Sequence, residues 1–311
     1  MGKTNRNISV AIVGCGTVGG ATAVLLTRDQ ELIRQRSGVS LVLKYIVDKD
    51  FSRARSLGLD SNLFEKDLER VLADEEVKIV AELVGGTTIA KDITLRALEA
   101  GKHVVTANKA LLAHAGPELL KKAREKGVTL SFEASCGGGI PIIRALYDGL
   151  IANRIDALYG IVNGTCNYIL TQMTQRNISY SQALKEAQET GLAEANPFLD
   201  VSGMDSAHKL TILASLAFGQ WLDLDAIPVT GIDTLKTLDI QYGSELGYII
   251  KLLAVATRLN GKICLRVRPA FISRQHPLAW VSGPFNAISV YGHVTGHTMY
   301  YGRGAGGSPT S

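Results

Sequence analysis

The segment ISVAIVGCGTVGG (residues 8–20) decides how the chain begins to fold. Residues 8–14 are almost entirely apolar, which is typical of a buried strand. Gly14, Gly16 and Gly19 follow at the spacing GxGxxG, and a helical pattern begins directly behind them. In a strand-turn-helix unit such glycines permit a tight turn, the close approach of a pyrophosphate and close helix packing. The segment therefore predicts a dinucleotide-binding unit, with a plain tight turn as the alternative.

Strand and helix patterns alternate through the rest of the first third of the chain. Further strands are predicted at 41–48, 77–85, 103–107 and 128–134, and helices at 18–36, 66–73, 90–100 and 115–126. This alternation predicts an α/β fold in which residues 1–135 form a Rossmann-type, doubly wound parallel sheet.

The pattern changes after residue 135, where the cluster CGGGIP interrupts it. Helices are then predicted at 142–150, 166–176 and 180–190, and strands at 155–162, 263–273 and 286–301. We interpret 136–297 as a second, mixed α/β domain, and 298–311 as a segment that returns to the first.

Composition and charge exclude several classes of protein. The 311 residues are 46% hydrophobic and carry a net charge of only +4, which does not favour nucleic-acid binding. No apolar run reaches the length of about 20 residues that a membrane span needs. The four cysteines are widely spaced and form no CxxC pair, which is typical of a reducing compartment. We therefore expect a cytoplasmic protein without nucleic-acid or membrane partners.

The choice between NAD and NADP depends on the end of the second predicted strand. Asp48 closes that strand, where a carboxylate would bond the ribose hydroxyls of NAD. Lys49, Arg53 and Arg55 lie just behind and are able to hold the 2′-phosphate of NADP, unless they are only a surface charge run. The sequence leaves both cofactors open.

Candidate catalytic groups follow two later features. Asn108 and Lys109 come just past a parallel strand, at the edge where open α/β sheets bind ligands. Alone, Lys109 would be an ordinary lysine at a helix start. Within LDVSGMDSAHK (199–209), Lys209 lies one turn after Asp205, and an apolar helix follows. Because buried charges are costly unless they are paired or used, this pair favours a function.

The carboxylates near Lys209 predict a site for an amino-acid substrate. Glu194, Asp200 and Asp205 fall in or beside one loop, where they can bind an ammonium group and set Lys209 as a proton donor. A metal site is the competing interpretation, but His208 stands alone without histidines at metal-ligand spacing.

The motifs together resemble the homoserine dehydrogenase family. The matching segments, in order, are VGCGTVGG, VVTANKALLA, FEASCGGGIPI, VNGTCNYIL, the long stretch AQETGLAEANPFLDVSGMDSAHK (187–209) and GRGAGGSPT. They cover essentially the whole chain and resemble the short form without a C-terminal regulatory domain. The resemblance implies NAD(P)H-dependent reduction of L-aspartate 4-semialdehyde to L-homoserine, on the route to threonine, methionine and isoleucine.

The resemblance also implies a role for each matching residue. Lys209 would donate the proton and Lys109 would lie close to cofactor and substrate. The implied substrate-binding residues are Glu194, Asp200, Asp205, Asn163 and Thr165, although Thr165 could instead cap a helix. The implied cofactor-binding residues are Gly14, Gly16, Thr17, Val18, Gly19, Asp48, Lys49, Gly85, Gly86, Asn108, Lys109 and Gly302.

The resemblance further implies a sodium or potassium ion and a homodimer formed through the second domain. The ion would be held by backbone oxygens of Glu133, Cys136, Gly138 and Ile140. Two alternatives stay open: a phosphorylating semialdehyde dehydrogenase with Cys136 or Cys166 as nucleophile, and a non-catalytic dinucleotide sensor.

Overall fold

The computed structural model of the protein describes residues 6–311. Residues 6–135 together with Gly306–Ser311 form one unit, and Cys136–Ala305 form a second. The return of the chain to the first unit was predicted at 298–311 and begins later, because Gly296–Arg303 is a strand of the second unit's sheet.

The first unit contains a six-stranded sheet in which all paired strands are parallel. Its strands are β1 (Arg6–Val13), β2 (Val39–Val47), β3 (Phe64–Glu65), β4 (Val77–Glu82), β5 (His103–Thr106) and β6 (Leu130–Ser131). Its helices are α1 (Thr17–Arg28), α2 (Gln30–Ser37), α3 (Ser52–Ser56), α4 (Leu68–Ala73), α5 (Thr88–Glu99), α6 (Lys109–Lys126) and α13 (Gly307–Thr310). The order β3-β2-β1-β4-β5-β6 puts the switch point between β1 and β4, where such sheets bind ligands.

The predicted Rossmann-type sheet is therefore confirmed, with two local differences. The predicted helix 18–36 is two helices, because the backbone leaves the helical region at Asp29 (φ −105°, ψ 21°). The predicted strand 128–134 is paired only over Leu130–Ser131, and the chain then enters a 3₁₀ turn at Glu133–Ser135. The core of this unit includes Val10 and Ile12 of β1, Leu26 of α1 and Ile46 of β2.

The second unit contains an antiparallel, five-stranded sheet of order β11-β10-β7-β8-β9. Its strands are β7 (Ile155–Ile161), β8 (Tyr248–Leu259), β9 (Lys262–Ser273), β10 (Phe285–Gly292) and β11 (Gly296–Arg303). Its helices are α7 (Ile142–Arg144, continued by a π turn at Ala145–Gly149), α8 (Gly164–Arg176), α9 (Tyr180–Glu189), α10 (Phe198–Val201), α11 (Met204–Phe218) and α12 (Thr237–Glu245). The mixed α/β prediction is confirmed. Strand β8 was missed because its mostly apolar sequence, interrupted by Lys251, does not distinguish a strand from a buried helix.

Helix α11 carries Asp205 and Lys209 and is buried along most of its length, as its apolar sequence predicted. Among the described residues, none of the helices is both long enough and apolar enough to cross a membrane.

Lys251, a buried lysine outside this helix, holds the loop before β10 through hydrogen bonds. Lys251 of β8 is 2% exposed, and its ammonium donates to Asn167 Oδ1 (2.9 Å) and to the carbonyl of Val281 (2.6 Å). The Asn167 amide donates in turn to the carbonyls of Val281, Gly283 and Phe285. Burial lowers the pKa of Lys251 to about 8, from an ordinary value of 10.5.

This shift makes the free energy of unfolding depend on pH in a defined direction. Between pH 8 and 10.5 the unfolded chain binds more protons than the folded chain, so the contribution of Lys251 to stability rises with pH. Relative to Lys251→Met, the wild type should gain up to about 3 kcal/mol over that window. Urea titrations at several pH values measure the difference, with Lys262→Met on exposed β9 as control. Parallel pH curves for wild type and Lys251→Met would contradict the prediction.

Candidate active site

In the glycine loop between β1 and α1, backbone atoms pack closely against Gly14 and Gly19 but not against Gly16. Gly14 has φ +96°, and a Cβ on it would lie 2.7 Å from the carbonyl carbon of Leu83. A Cβ on Gly19 would lie 1.8 Å from the carbonyl oxygen of Gly14. In the described part of the chain, no atom lies within 4 Å of a Cβ built on Gly16, which precedes the first turn of α1. The open backbone at a helix N-terminus fits the pyrophosphate of a dinucleotide.

Asp48 contacts this loop directly. Its Oδ2 accepts the backbone N–H of Cys15 (2.6 Å), and its Oδ1 accepts those of Lys49 (2.6 Å) and Asp50 (3.2 Å). The carboxylate therefore braces the glycine loop, a role that the sequence pattern did not predict. Its proposed bond to a ribose would use the remaining lone pairs of the same oxygens.

The two arginines that could hold a 2′-phosphate are separated by the fold. Arg53 is exposed and donates from Nε to the carbonyl oxygen of Gly16 (3.1 Å), which puts its guanidinium at the glycine loop. Arg55 lies instead over the ring of Phe64, 5.8 Å from its centroid. Only Arg53 of these two contacts the loop, and this contact makes it the stronger candidate for selecting NADP.

Arg53→Ala is expected to weaken NADPH binding roughly tenfold to a hundredfold, because a charge-assisted contact to phosphate contributes about 1.5–3 kcal/mol. NADH binding should change little. Arg55→Ala is the matched control, since it removes an equal charge two residues away. Fluorescence titration of both cofactors against both variants measures the effect. Equal losses in the two variants would indicate a general charge effect and contradict the assignment.

The ends of β4 and β5 are tied together by a carboxylate that sequence reasoning missed. Glu82 is fully buried, and it accepts Thr106 Oγ1–H (2.6 Å) and the N–H of Val84 (3.0 Å). Burial raises the pKa of this carboxyl above its ordinary value. Thr106 Oγ1 also accepts the N–H of Asn108 (3.0 Å). The one signal in the sequence was a glutamate inside the mostly apolar segment VKIVAELVG (residues 77–85).

Asn108 links this hydrogen-bond network to the start of α6, where the predicted catalytic residue Lys109 lies. Its Oδ1 caps α6 by accepting the N–H of Leu111 (3.0 Å), and its Nδ2 donates to the carbonyl of Gly86 (2.6 Å). Lys109 is the first residue of α6. The loops after β4 and β5, which contain the predicted cofactor residues Gly85, Gly86 and Asn108, are therefore bonded to each other.

In the second unit, Lys209 and Asp205 form the predicted pair. Lys209 Nζ lies 2.7 Å from Asp205 Oδ2 and donates to the carbonyl oxygen of Val162 at 2.6 Å. Both residues are buried, with 8% and 6% of their surface exposed. An exposed ion pair contributes little, whereas breaking a buried one is costly.

Asn163 brings a second carboxylate to the pair. Its Nδ2 donates to Asp200 Oδ1 (2.7 Å) and to Asp205 Oδ2 (2.9 Å). Two carboxylates thus share one amide group, and one of them, Asp205, also contacts Lys209. A group with more negative than positive charge attracts a further cation, such as a substrate ammonium.

The remaining predicted substrate residues are Thr165, in the first turn of α8, and Glu194, on the loop after α9. Thr165 Oγ1 donates to the carbonyl of Leu192 (2.9 Å) and does not cap α8. The capping alternative is wrong for this residue, because Asn163 Oδ1 accepts the N–H of Cys166 (2.8 Å) and is the cap. Glu194 is exposed, two residues beyond the held carbonyl.

Comparison with known proteins agrees with this arrangement. Residues 14–133 match the family model described as "Homoserine dehydrogenase, NAD binding domain", and residues 141–311 match "Homoserine dehydrogenase". The chain belongs to the homoserine dehydrogenase family. Members of this family are NAD(P)-dependent oxidoreductases, so the resemblance and the predicted nicotinamide-binding unit are confirmed.

Individual relatives align over nearly the whole chain. A homoserine dehydrogenase of Pseudomonas aeruginosa is 46% identical over 306 residues, which is 98% of this chain and 70% of that protein. The crystal structure of a homoserine dehydrogenase from Thiobacillus denitrificans is 44% identical with a TM-score of 0.94, covering 98% of this chain and 70% of that one. A hyperthermophilic archaeal homoserine dehydrogenase mutant in complex with NADPH is 27% identical with a TM-score of 0.80, covering 98% and 94%.

The glycine-rich segment that the family resemblance linked to a cation has an irregular backbone. Gly137 and Gly138 have φ values of +74° and +52°, and the carbonyl of Ile140 accepts the N–H of Ile142 (2.7 Å). A carbonyl keeps a second lone pair for a cation. No group of three or more His, Cys, Asp or Glu side chains in residues 6–311 is arranged to hold a metal, so a cation here would need backbone ligands.

The cysteine-nucleophile alternative fits poorly with the burial of the two candidates. Cys166 and Cys136 are both fully buried. Burial, followed by the charge of Asp200, raises the pKa of the Cys166 thiol well above its ordinary value. A nucleophilic cysteine needs a thiolate that the substrate can reach, so neither residue suits that role.

Proposed function

We propose that this chain catalyses the reversible reduction of L-aspartate 4-semialdehyde to L-homoserine with NADPH or NADH. The observation that carries the proposal is the cluster of buried Lys209, Asp205 and Asn163 with the half-buried Asp200. Membership of the homoserine dehydrogenase family supports the same reaction.

Lys209 is proposed to donate the proton that the reaction requires. Its ammonium has three N–H bonds, and two of them are engaged by Asp205 and Val162. The third is available to the aldehyde oxygen, which becomes the hydroxyl of the product. When bound, the nicotinamide supplies the hydride to the aldehyde carbon. Lys109 is proposed to act beside cofactor and substrate from the start of α6.

The amino-acid end of the substrate is proposed to bind the carboxylate side of the cluster. Asp200 and Asp205 supply the negative charge that attracts its ammonium, and Asn163 keeps the two carboxylates together. Thr165 is proposed to act through the Leu192 carbonyl, which holds the loop that carries Glu194.

The cofactor is proposed to be held by the glycine loop and by the loops after the neighbouring strands. The residues are Gly14, Gly16, Thr17, Val18, Gly19, Asp48, Lys49, Gly85, Gly86, Asn108, Lys109 and Gly302. A sodium or potassium ion is proposed to bind backbone oxygens of Glu133, Cys136, Gly138 and Ile140, since oxygen ligands suit such cations.

The second unit is further proposed to form a homodimer. Leu238 and Tyr242 of α12 and Leu246 at its C-cap are 54%, 59% and 74% exposed, an apolar face of the kind that partners cover. Light scattering on the purified protein tests this. A cytoplasmic location and a role in threonine, methionine and isoleucine biosynthesis are likewise proposed, from the family alone.

The activity is tested by absorbance at the nicotinamide band. L-Aspartate 4-semialdehyde is mixed with NADPH and, in parallel, with NADH, in the absence of phosphate. Oxidation of either cofactor with homoserine as the product supports the proposal, and the ratio of the rates gives the preferred cofactor. Cofactor binding without any turnover would overturn the proposal and favour the sensor alternative.

A further inference from the structure

A buried asparagine of the second sheet lies against the catalytic cluster and has no part in the proposed reaction so far. Asn286, near the start of β10, is 1% exposed. Its Nδ2 donates to the carbonyl oxygen of Val162 at 3.1 Å, the same oxygen that accepts from Lys209 Nζ at 2.6 Å. Asn286 is therefore one hydrogen-bonded carbonyl away from the proposed proton donor.

The position of Val162 in the sheet explains why a side chain is needed here. Strand β7 pairs with β10 up to Ile161, which is opposite Ala287, and β7 ends there. Val162 follows directly, before Asn163, which caps α8. The Asn286 side-chain amide thus bonds the first carbonyl beyond the paired part of β7.

The two donors together use both lone pairs of this carbonyl. With one lone pair occupied by Asn286, the Val162 oxygen is held in orientation and presents the other lone pair to Lys209. Asp205 fixes a second N–H of the same ammonium. Two fixed acceptors set the direction of the third N–H bond, which is the one that the reaction uses.

We propose that Asn286 is a positioning residue that aims the Lys209 ammonium through the Val162 carbonyl. The inference rests on the proposed function only for the use of the proton in the reaction. The contact of Asn286 with the Val162 carbonyl does not depend on that function.

Two further observations support the positioning role of the Asn286 side-chain amide. Asn286 Oδ1 is buried and has no hydrogen-bond partner in residues 6–311, a cost that native proteins seldom accept without a functional reason. A Cβ on Gly304 would lie 1.9 Å from Asn286 Nδ2, so the facing position admits only a glycine while the amide keeps its place. Gly304 belongs to the motif GRGAGGSPT.

The kinetic test uses Asn286→Ala in the full chain with aspartate 4-semialdehyde and NADPH. We expect kcat to fall by roughly tenfold to a hundredfold, the loss that a displaced catalytic group causes, with KM unchanged. Asn286→Ser, which keeps a hydroxyl donor, should recover part of kcat. Asn153→Ala is the matched control, because Asn153 accepts the N–H of Thr295 in the turn region at the other end of the sheet. It should leave kcat unchanged.

Gly304→Ala provides an independent second variant. Its methyl group should displace the Asn286 amide and lower kcat by a similar factor. In an Asn286→Ala background the clash disappears, so the second substitution should cost nothing more. Additive losses in this double-mutant cycle would overturn the proposal.

Nuclear magnetic resonance of the Lys209 ammonium separates this inference from the proposed function. The protein is labelled in lysine with ¹³Cε and ¹⁵Nζ, and Lys209→Arg identifies the signal. In Asn286→Ala the ¹⁵N shift should move and the ammonium hydrogens should exchange faster, whether or not the wild type turns over substrate. An unchanged Lys209 signal overturns the positioning role, as does a lower melting temperature with full kcat. An inactive wild type with a responsive signal counts against the proposed reaction only.

Discussion

Lys209→Met is expected to lower kcat by roughly 10²–10⁴-fold, the usual contribution of a positioned acid, while cofactor binding stays intact. The reason is geometric, because Lys209 Nζ is held by Asp205 and by the Val162 carbonyl and a methionine has no proton to give. The two properties separate because the glycine loop belongs to the other unit of the chain. Stopped-flow turnover and fluorescence titration with NADPH measure them independently.

Loss of fold must be distinguished from loss of chemistry in this variant. Removing Lys209 leaves the Asp205 carboxylate buried without its cation, which costs about 3–5 kcal/mol. The double variant Asp205→Asn with Lys209→Met removes that charge and should be more stable, yet equally inactive. Lys185→Met is the matched control, since Lys185 forms an exposed i,i+4 pair with Glu189. Substantial turnover by folded Lys209→Met protein would show that the proton comes from another group.

The glycine loop offers a second large effect and a matched control within the same motif. Gly19→Ala is expected to abolish cofactor binding and to lower the free energy of unfolding, because its Cβ would lie 1.8 Å from the Gly14 carbonyl oxygen. Neither atom can move without opening the turn between β1 and α1. Forcing an extra methyl group into a packed site costs about 1–3 kcal/mol, occasionally more.

Gly16→Ala should behave differently, although it changes the same motif by the same methyl group. No atom of residues 6–311 lies within 4 Å of its Cβ, so the free energy of unfolding should stay near the wild-type value. Cofactor affinity should nevertheless fall, because the methyl group would occupy the space proposed for the pyrophosphate. Urea titration and NADPH titration of both variants test the pair. Unchanged NADPH affinity in Gly16→Ala would refute the location proposed for the cofactor.

Much of the first unit was predictable because its signals are local. The three glycines lie within six residues of each other. The spacing of apolar residues differs clearly between the strand before them and the helix after them. The pattern failed at β8, where a mostly apolar segment of twelve residues is compatible with either kind of element. It also placed the return of the chain at 298 rather than 306, since pairing of β11 with β10 depends on a partner strand.

In the candidate site, too, contacts between residues close in sequence were predictable and contacts between distant residues were not. Asp205 and Lys209 are four residues apart on one helix, so their contact follows from helix geometry and was expected. Glu82 was overlooked because its partner Thr106 lies 24 residues away on another strand. Asn286 was overlooked because 124 residues separate it from Val162.

The sequence by itself determined the glycine loop, the alternation of strands and helices that makes a doubly wound sheet, and the pairing of an acid with a lysine on a buried helix. Each of these depends on spacings of a few residues, which backbone geometry converts directly into contacts. Only the tertiary structure decided that Val162 accepts from Lys209 and Asn286, that Asn163 bridges Asp200 and Asp205, and that Arg53 rather than Arg55 contacts the glycine loop. Most of these contacts join residues tens of positions apart, and strand register and helix packing bring such residues together.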